Sequence, residues 1–172
     1  MSLLLEDLIE KIIKNQNFNL IYRPHPGDLI DPIQKKRLFE LNNKFKTKKN
    51  YIFDINTSYV QSYKRAKIMI TDFSGTAYTF AFCKLRPIIF FSKNERMLLN
   101  SDLSELNYFK DREQIGVVES KIDNIENSII HIKKNLDFFS KNILELRNNR
   151  IEHFNEALNQ NLLNIKKIIS NE

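Results

Sequence analysis

The chain has 172 residues, 42% of them hydrophobic, a formal charge of +6 and a single cysteine. That suits one domain with a real core; it excludes a disordered tail and any intrachain disulfide. No apolar run approaches 18 residues and no signal-peptide pattern is present, so a cytoplasmic protein is expected. The positive charge favours anionic partners, but it is spread thinly over lysine-rich helices without regular aromatic interleaving, so no nucleic-acid partner is expected.

Leu5, Leu8, Ile9, Ile12 and Ile13 recur at helical spacing and predict an amphipathic helix over 3–16. Phe18 to Tyr22 reads as a short strand. It ends in Arg23-Pro24-His25-Pro26-Gly27-Asp28, a rigid loop that continues neither element. Asp31-Pro32 is a cap with proline at the first helical position, opening a helix to about residue 46 with Ile33, Leu38, Leu41 and Phe45 inward. Tyr51 to Asp54 is a second strand, after which Asn56 or Thr57 caps a helix through Tyr63.

The centre of the chain is 67–92. Two wholly apolar runs, Ile68–Ile70 and Ile88–Phe91, flank a segment suited to a helix. Apolar runs without alternation suit strands buried on both faces of a parallel sheet, and a helix between them makes a right-handed βαβ unit. Cys83, in that helix, reads as a small core residue. Ile115 to Val118, with Gly116 inside, is a last short strand. Ser120-x-x-Asp123 reads as a capping box before Ile122, Ile125, Ile129 and Ile132. Helices over 137–149 and 150–170 follow, the latter striped by Ile151, Phe154, Leu158, Leu162 and Ile165, a face that suits a homodimer if left uncovered. The expected fold is a single α/β domain over 1–172. Strands near 18–22, 51–54, 67–71 and 87–91 are neighbours in one Rossmann-like parallel sheet with helices on both faces, and a helical tail over about 120–170 closes it.

Two loops carry the chemistry. Thr71, Asp72, Ser74, Gly75 and Thr76 lie between the carboxyl end of a strand and the start of a helix, the edge where open α/β sheets bind ligands. Gly75 lets the backbone approach a ligand, Ser74 and Thr76 add hydroxyls, and the first-turn amides favour a phosphate. The bland alternative is a helix cap, with Asp72 or Ser74 capping and Gly75 relieving a tight turn. Arg23 and His25 also follow a strand end, with prolines on either side of His25. Either side chain can donate to a phosphate oxygen, whereas the alternative for His25 is a hydrogen bond within its own loop. His131 and His153 fall in helix patterns without partners and read as surface or boundary residues.

Arg-Pro-His-Pro at 23–26, Ile-Thr-Asp-Phe-Ser-Gly at 70–75, Arg-Pro-Ile-Ile-Phe-Phe at 86–91 and Tyr-Phe-Lys-Asp-Arg at 108–112 before Gly116 together resemble the C-terminal half of the CDP-glycerol glycerophosphotransferase family, from about residue 18 to about 118. The resemblance implies half of a GT-B fold, serving teichoic-acid-like or capsular polymer synthesis in the bacterial cell envelope. It implies that Arg23 and His25 contact the phosphates of a nucleotide-activated donor, with His25 stabilising the departing phosphate. Asp72, Ser74, Gly75 and Thr76 would form the second phosphate-side loop. No cofactor or metal is implied beyond the donor itself, CDP-glycerol or a sugar nucleotide. The polymer acceptor would be held by an N-terminal half that is absent here, leaving this chain a donor-binding part inactive alone, in peripheral contact with the inner face of the cell membrane.

Three departures stand out: Gly75 where the family usually has a second serine, Thr79 where it usually has an acidic residue, and the missing amino-terminal half. A sugar-nucleotide glycosyltransferase of capsule or lipopolysaccharide synthesis is the alternative enzyme. A flavodoxin-type binding or regulatory module is the non-enzyme alternative, resting on Asp54 at a strand end alone.

Overall fold

A computed structural model of the chain describes residues 3–152, 154 and 156–170. In chain order, the helices are α1 (Leu3–Lys14), α2 (Pro26–Ile30), α3 (Pro32–Phe45), α4 (Val60–Arg65), α5 (Thr76–Lys84), α6 (Glu95–Leu99), α7 (Asn107–Lys110), α8 (Arg112–Ile115), α9 (Ile125–Lys134), α10 (Leu136–Arg150) and α11 (Ala157–Ser170). The strands are β1 (Leu20–Tyr22), β2 (Tyr51–Phe53), β3 (Met69–Thr71), β4 (Ile88–Phe91) and β5 (Gly116–Glu119). Every strand pair is parallel, and the fold is α/β and Rossmann-like.

The ladder is not one continuous sheet as expected. β1 pairs with β2, and β3-β4-β5 form a separate three-stranded sheet. Strands of three residues make few ladder bonds, and side-chain packing spans the gap instead: Leu20 touches both apolar clusters. The larger cluster sets Ile88–Phe91 of β4 between Ala77, Phe80 and Ala81 of α5 and Ile125, Ile129 and Ile132 of α9. β4 is buried along its whole length, as its unalternating apolar run requires. Helices α1 and α9 pack together beside the β5 edge, whereas α4, α5 and α10 pack together on the motif-helix side. The smaller cluster joins Ile9 and Ile13 of α1 to Leu41 and Phe45 of α3 and to Tyr51.

Several boundaries differ from the sequence reading. Pro26 opens a short helix, α2, where a loop was expected, because its missing N–H is harmless at a first helical position. Ile33 is exposed while Leu38, Leu41 and Phe45 are buried, since α3 meets the core only from its second turn. Cys83 is exposed, and its neighbour Phe82 takes the core position. The capping box at Ser120 does not form. Glu119 instead accepts from the amides of Ser120 (2.8 Å) and Lys121 (2.9 Å), and a short 3-10 turn, Ile122–Asn124, leads into α9. The last helix begins at Ala157, so Ile151 and Phe154 precede it; Leu162 and Ile165 on it are about half exposed. His153 and the side chain of Leu158 lie outside the described residues, and His131 is exposed as expected.

Two arginines hold the frame, Arg86 of the Arg-Pro-Ile-Ile-Phe-Phe motif and Arg150 at the end of α10. Arg86 donates to the carbonyls of Lys64 (3.1 Å) and Ala66, closing the C-terminus of α4. Arg150 of α10 grips buried Asp111 with two bonds of 2.9 Å, tying the last core helix to the α7–α8 junction. Gly116 is fixed by close approach: a Cβ there would stand 1.9 Å from the carbonyl oxygen of Ile88. Gly116→Ala is therefore expected to lower stability by about 2–4 kcal/mol in urea unfolding, because a backbone neighbour cannot swing aside. Gly75→Ala, with nothing within 4 Å of its Cβ, should change stability by less than about 1 kcal/mol.

Candidate functional site

The first loop begins where β1 ends. Arg23 turns toward the end of β2, where its Nη1 pairs with Asp54 Oδ2 at 2.8 Å. Its Nη2 donates to the carbonyls of Asn56 (2.6 Å) and Thr57 (3.2 Å). Asp54 is buried and also accepts from the Ser62 hydroxyl, the Asn56 amide (3.0 Å) and the Asn56 side chain (2.7 Å). Burial works against the Asp54 carboxylate, but the hydrogen bonds from Ser62, Asn56 and Arg23 outweigh it and lower its pKa from 3.8 to about 2. The expected cap at Asn56 or Thr57 is thus replaced by carbonyls that hold Arg23, and α4 starts at Val60.

His25 caps α2. Its Nδ1 accepts from the amide of Gly27 at 3.1 Å, which assigns the proton of the neutral ring to Nε2. The residue is exposed. The loop-internal hydrogen bond and the free donor are therefore features of one imidazole, and the first fixes the aim of the second.

The second loop is shaped by a residue from elsewhere. The Tyr108 hydroxyl accepts from the amide of Ser74 (2.9 Å) and lies at hydrogen-bond distance from the carbonyls of Ser74 (3.2 Å) and Asp72 (3.3 Å). Its ring meets Phe73 edge-on at 4.8 Å, and its own carbonyl accepts from Tyr78 at 2.7 Å. Burial raises the Tyr108 phenol, keeping it a neutral donor. Thr76 Oγ1 is held by the hydroxyl of Tyr63. Gly75 has ordinary right-handed helical geometry (φ −61°, ψ −24°), so no turn demands glycine there; the residue leaves open space beside the helix start. Neither the Ser74 hydroxyl nor the Asp72 carboxylate hydrogen-bonds to another described residue, and the first turn of α5 carries no acid.

Helix α4 joins the loops. Ser62 binds the Asp54 carboxylate that holds Arg23, and the next residue, Tyr63, binds Thr76. Burial pushes the Tyr63 phenol up, opposed first by its hydrogen bond with Thr76 and then by the charge of Arg23. Arg23 and Thr76 are thus brought to adjacent residues of one helix, while His25 and Asp72 stand exposed on the two loops. Tyr63 and Tyr108, the residues that fix the second loop, were not singled out as site residues in the sequence. Only the position of Tyr108 inside the Tyr-Phe-Lys-Asp-Arg block at 108–112 signalled it.

Among the described residues, no group of three or more His, Cys, Asp or Glu side chains is placed to hold a metal ion. No helix among them is long and apolar enough to cross a membrane.

The Asp54 network has a pH signature. A carboxylate whose folded pKa is depressed adds stability in full above its unfolded pKa, and that share is lost as pH falls from about 4 toward 2. With solvent screening allowed for, about 1–2 kcal/mol should disappear over that window. Denaturant titrations of the wild type and Asp54→Asn should therefore differ at pH 6 and converge near pH 2.

Compared with known proteins, residues 3–142 match the model of a family described as CDP-Glycerol:Poly(glycerophosphate) glycerophosphotransferase. No curated protein and no solved structure matches the chain.

Proposed function

Because the chain belongs to the CDP-glycerol:poly(glycerophosphate) glycerophosphotransferase family, we propose that its two loops bind the diphosphate of a nucleotide-activated glycerol phosphate donor, CDP-glycerol. The observation that supports this most is the set of donors left open on loops tied to one helix. These are the Nε2–H of His25, fixed by its own cap, and the amides of Gly75 and Thr76 at the start of α5, since those of Ser74 and Ala77 are taken by the Tyr108 hydroxyl and the Ser74 carbonyl. A helix start without an acid in its first turn attracts phosphate oxygens.

In the transfer, an acceptor hydroxyl oxygen attacks the phosphorus that carries glycerol. The bond to the bridging oxygen breaks, CMP leaves with the electron pair, and the hydroxyl proton is released. In this reading His25 and the α5 amides stabilise the charge that grows on the leaving phosphate, the electrostatic contribution that counts most in such chemistry. Arg23 acts through Asp54 and α4, positioning the two loops with its guanidinium in the Asp54 network. In the same reading the domain is the donor-binding half of a two-lobed transferase of teichoic-acid-type synthesis.

Calorimetry with CDP-glycerol and CDP tests the reading. His25→Ser retains a capping oxygen for Gly27 but removes the outward donor, so affinity should fall by about 1–3 kcal/mol with little change in melting temperature. Ser74→Ala should cost less, because the backbone donors remain. Unchanged affinity in a folded His25→Ser protein contradicts the assignment. Tighter binding of a UDP- or GDP-sugar than of CDP-glycerol redirects the domain to glycosyl transfer.

A further inference from the structure

Little within the loop at 72–75 fixes its shape. Gly75 contributes no side chain and faces open space, and the turn into α5 is closed by the bond from the Ala77 amide to the Ser74 carbonyl at 3.1 Å. Packing holds the loop only in part. Phe73 is 55% exposed and stacks on Phe109 with centroids 5.4 Å apart, and Phe109 in turn borders a cavity of about 460 Å³ together with Glu95, Leu99, Ser104 and Arg112. In the wall of that cavity the buried Arg112 guanidinium pairs with Glu95 and lies over the Phe109 ring, 4.5 Å from its centroid. A wall with a cavity in it sets the loop's position less firmly than directional bonds do.

Tyr108 of α7 supplies those bonds, and it is attached at two ends. Its hydroxyl accepts from the Ser74 amide at 2.9 Å and has the carbonyls of Ser74 (3.2 Å) and Asp72 (3.3 Å) within reach of its own hydrogen, so it bridges the residues on either side of Phe73. Its backbone carbonyl accepts from the Tyr78 hydroxyl at 2.7 Å, and Tyr78 stands in the first turn of α5. One residue thus ties the strand end to the helix start. The consequence for the donors is specific. The Ser74 amide is spent on Tyr108 and the Ala77 amide on Ser74, while the two amides between them, of Gly75 and Thr76, are left open. Adjacent open amides at a helix start point the same way, out along the axis.

We propose that Tyr108 is a positioning residue for phosphate binding: its hydroxyl fixes the backbone at 72–75 so that the Gly75 and Thr76 amides are aimed before a ligand arrives. This rests on the diphosphate reading of the two loops. A loop ordered in advance spares the binding step the cost of ordering it, so affinity follows the order of the loop and not a contact between Tyr108 and the ligand. The opposite role makes the opposite forecast. A hydroxyl that only occupies the Ser74 amide competes with phosphate for a donor, and removing it strengthens binding.

Calorimetry on the full chain with CDP and inorganic pyrophosphate tests this. Tyr108→Phe keeps the ring and its aromatic neighbours and removes only the hydroxyl; affinity for both ligands should fall about three- to tenfold, as for one lost hydrogen bond. A second substitution separates positioning from a role in the fold alone. Gly75 already has right-handed helical geometry with room for a Cβ, so Gly75→Ala narrows the loop's freedom without strain. In the Tyr108→Phe background it should recover about twofold of the lost affinity, and in the wild type, where the hydroxyl already orders the loop, it should add less. Equal effects of Gly75→Ala in the two backgrounds overturn the proposal, as does unchanged or tighter binding in a folded Tyr108→Phe protein. If Tyr108→Phe fails to fold, Tyr78→Phe releases the other end of the brace, and wild-type affinity in that protein overturns the proposal. Binding lost in His25→Ser yet kept in Tyr108→Phe overturns the role of Tyr108 alone. Absence of any CDP or pyrophosphate binding by the wild type overturns the diphosphate reading and the role of Tyr108 with it.

Discussion

The architecture of the candidate site depends on one buried carboxylate. Asp54 follows β2 and receives hydrogen bonds from Arg23 on the first loop, Asn56 on its own loop and Ser62 on α4. Removing a charge from water is costly, so a buried carboxylate persists only where several donors converge on it. Here convergence has a geometric consequence. The element that carries each donor is thereby fixed relative to the others, and Tyr63, one residue along α4, arrives at Thr76. A three-residue ladder between β1 and β2 could not locate α4 so firmly by itself.

A second constraint acts on the far side of the same helix start. The rings of Phe73, Tyr78, Tyr108 and Phe109 meet one another at centroid separations of 4.8–5.4 Å. Aromatic pairs at such distances add to the area they bury, and Tyr108 also delivers a hydroxyl to three backbone groups of the loop. The Arg112 guanidinium covers the Phe109 face and pairs with Glu95 behind it. Ring packing, loop shape and the charged cavity wall are therefore coupled through α7, so a substitution at Phe109 is felt in the loop as well as in the cavity.

Much of the fold was legible because its signals are local. An apolar run without alternation at Ile88–Phe91 can only be a strand covered on both sides, and Ile9, Ile12 and Ile13 can only be one face of a helix. The break between β1-β2 and β3-β4-β5 was not legible, since hydrogen-bond continuity between short strands depends on the packing of Leu20 rather than on strand sequence. The two loops were legible as loops with polar, phosphate-compatible residues. What each side chain does there was not. Arg23 reads as a phosphate ligand from the sequence, and its Asp54 partner, more than thirty residues on, is seen only in the structure. Tyr108 joins the second loop across a similar separation. Long-range partners leave no periodicity to read, which is why the roles of Tyr63 and Tyr108 surfaced only in the structure.

The same coupling accounts for the departures at 75 and 79. Tyr108 holds the backbone at 72 and 74, and Tyr63 holds Thr76, so the loop keeps its shape whatever side chain stands at 75. Gly75 takes a conformation open to any residue, with empty space where a Cβ would point. A serine at 75 is therefore not required by the fold, and in the proposed reading glycine there offers the ligand one hydroxyl fewer. Thr79 is exposed one turn into α5 and brings no charge. An acid there would offset the positive end of the helix; threonine leaves it intact. In the proposed diphosphate reading, recognition at this loop accordingly rests on the helix start itself, with Asp72 as the nearby carboxylate a bound phosphate must tolerate.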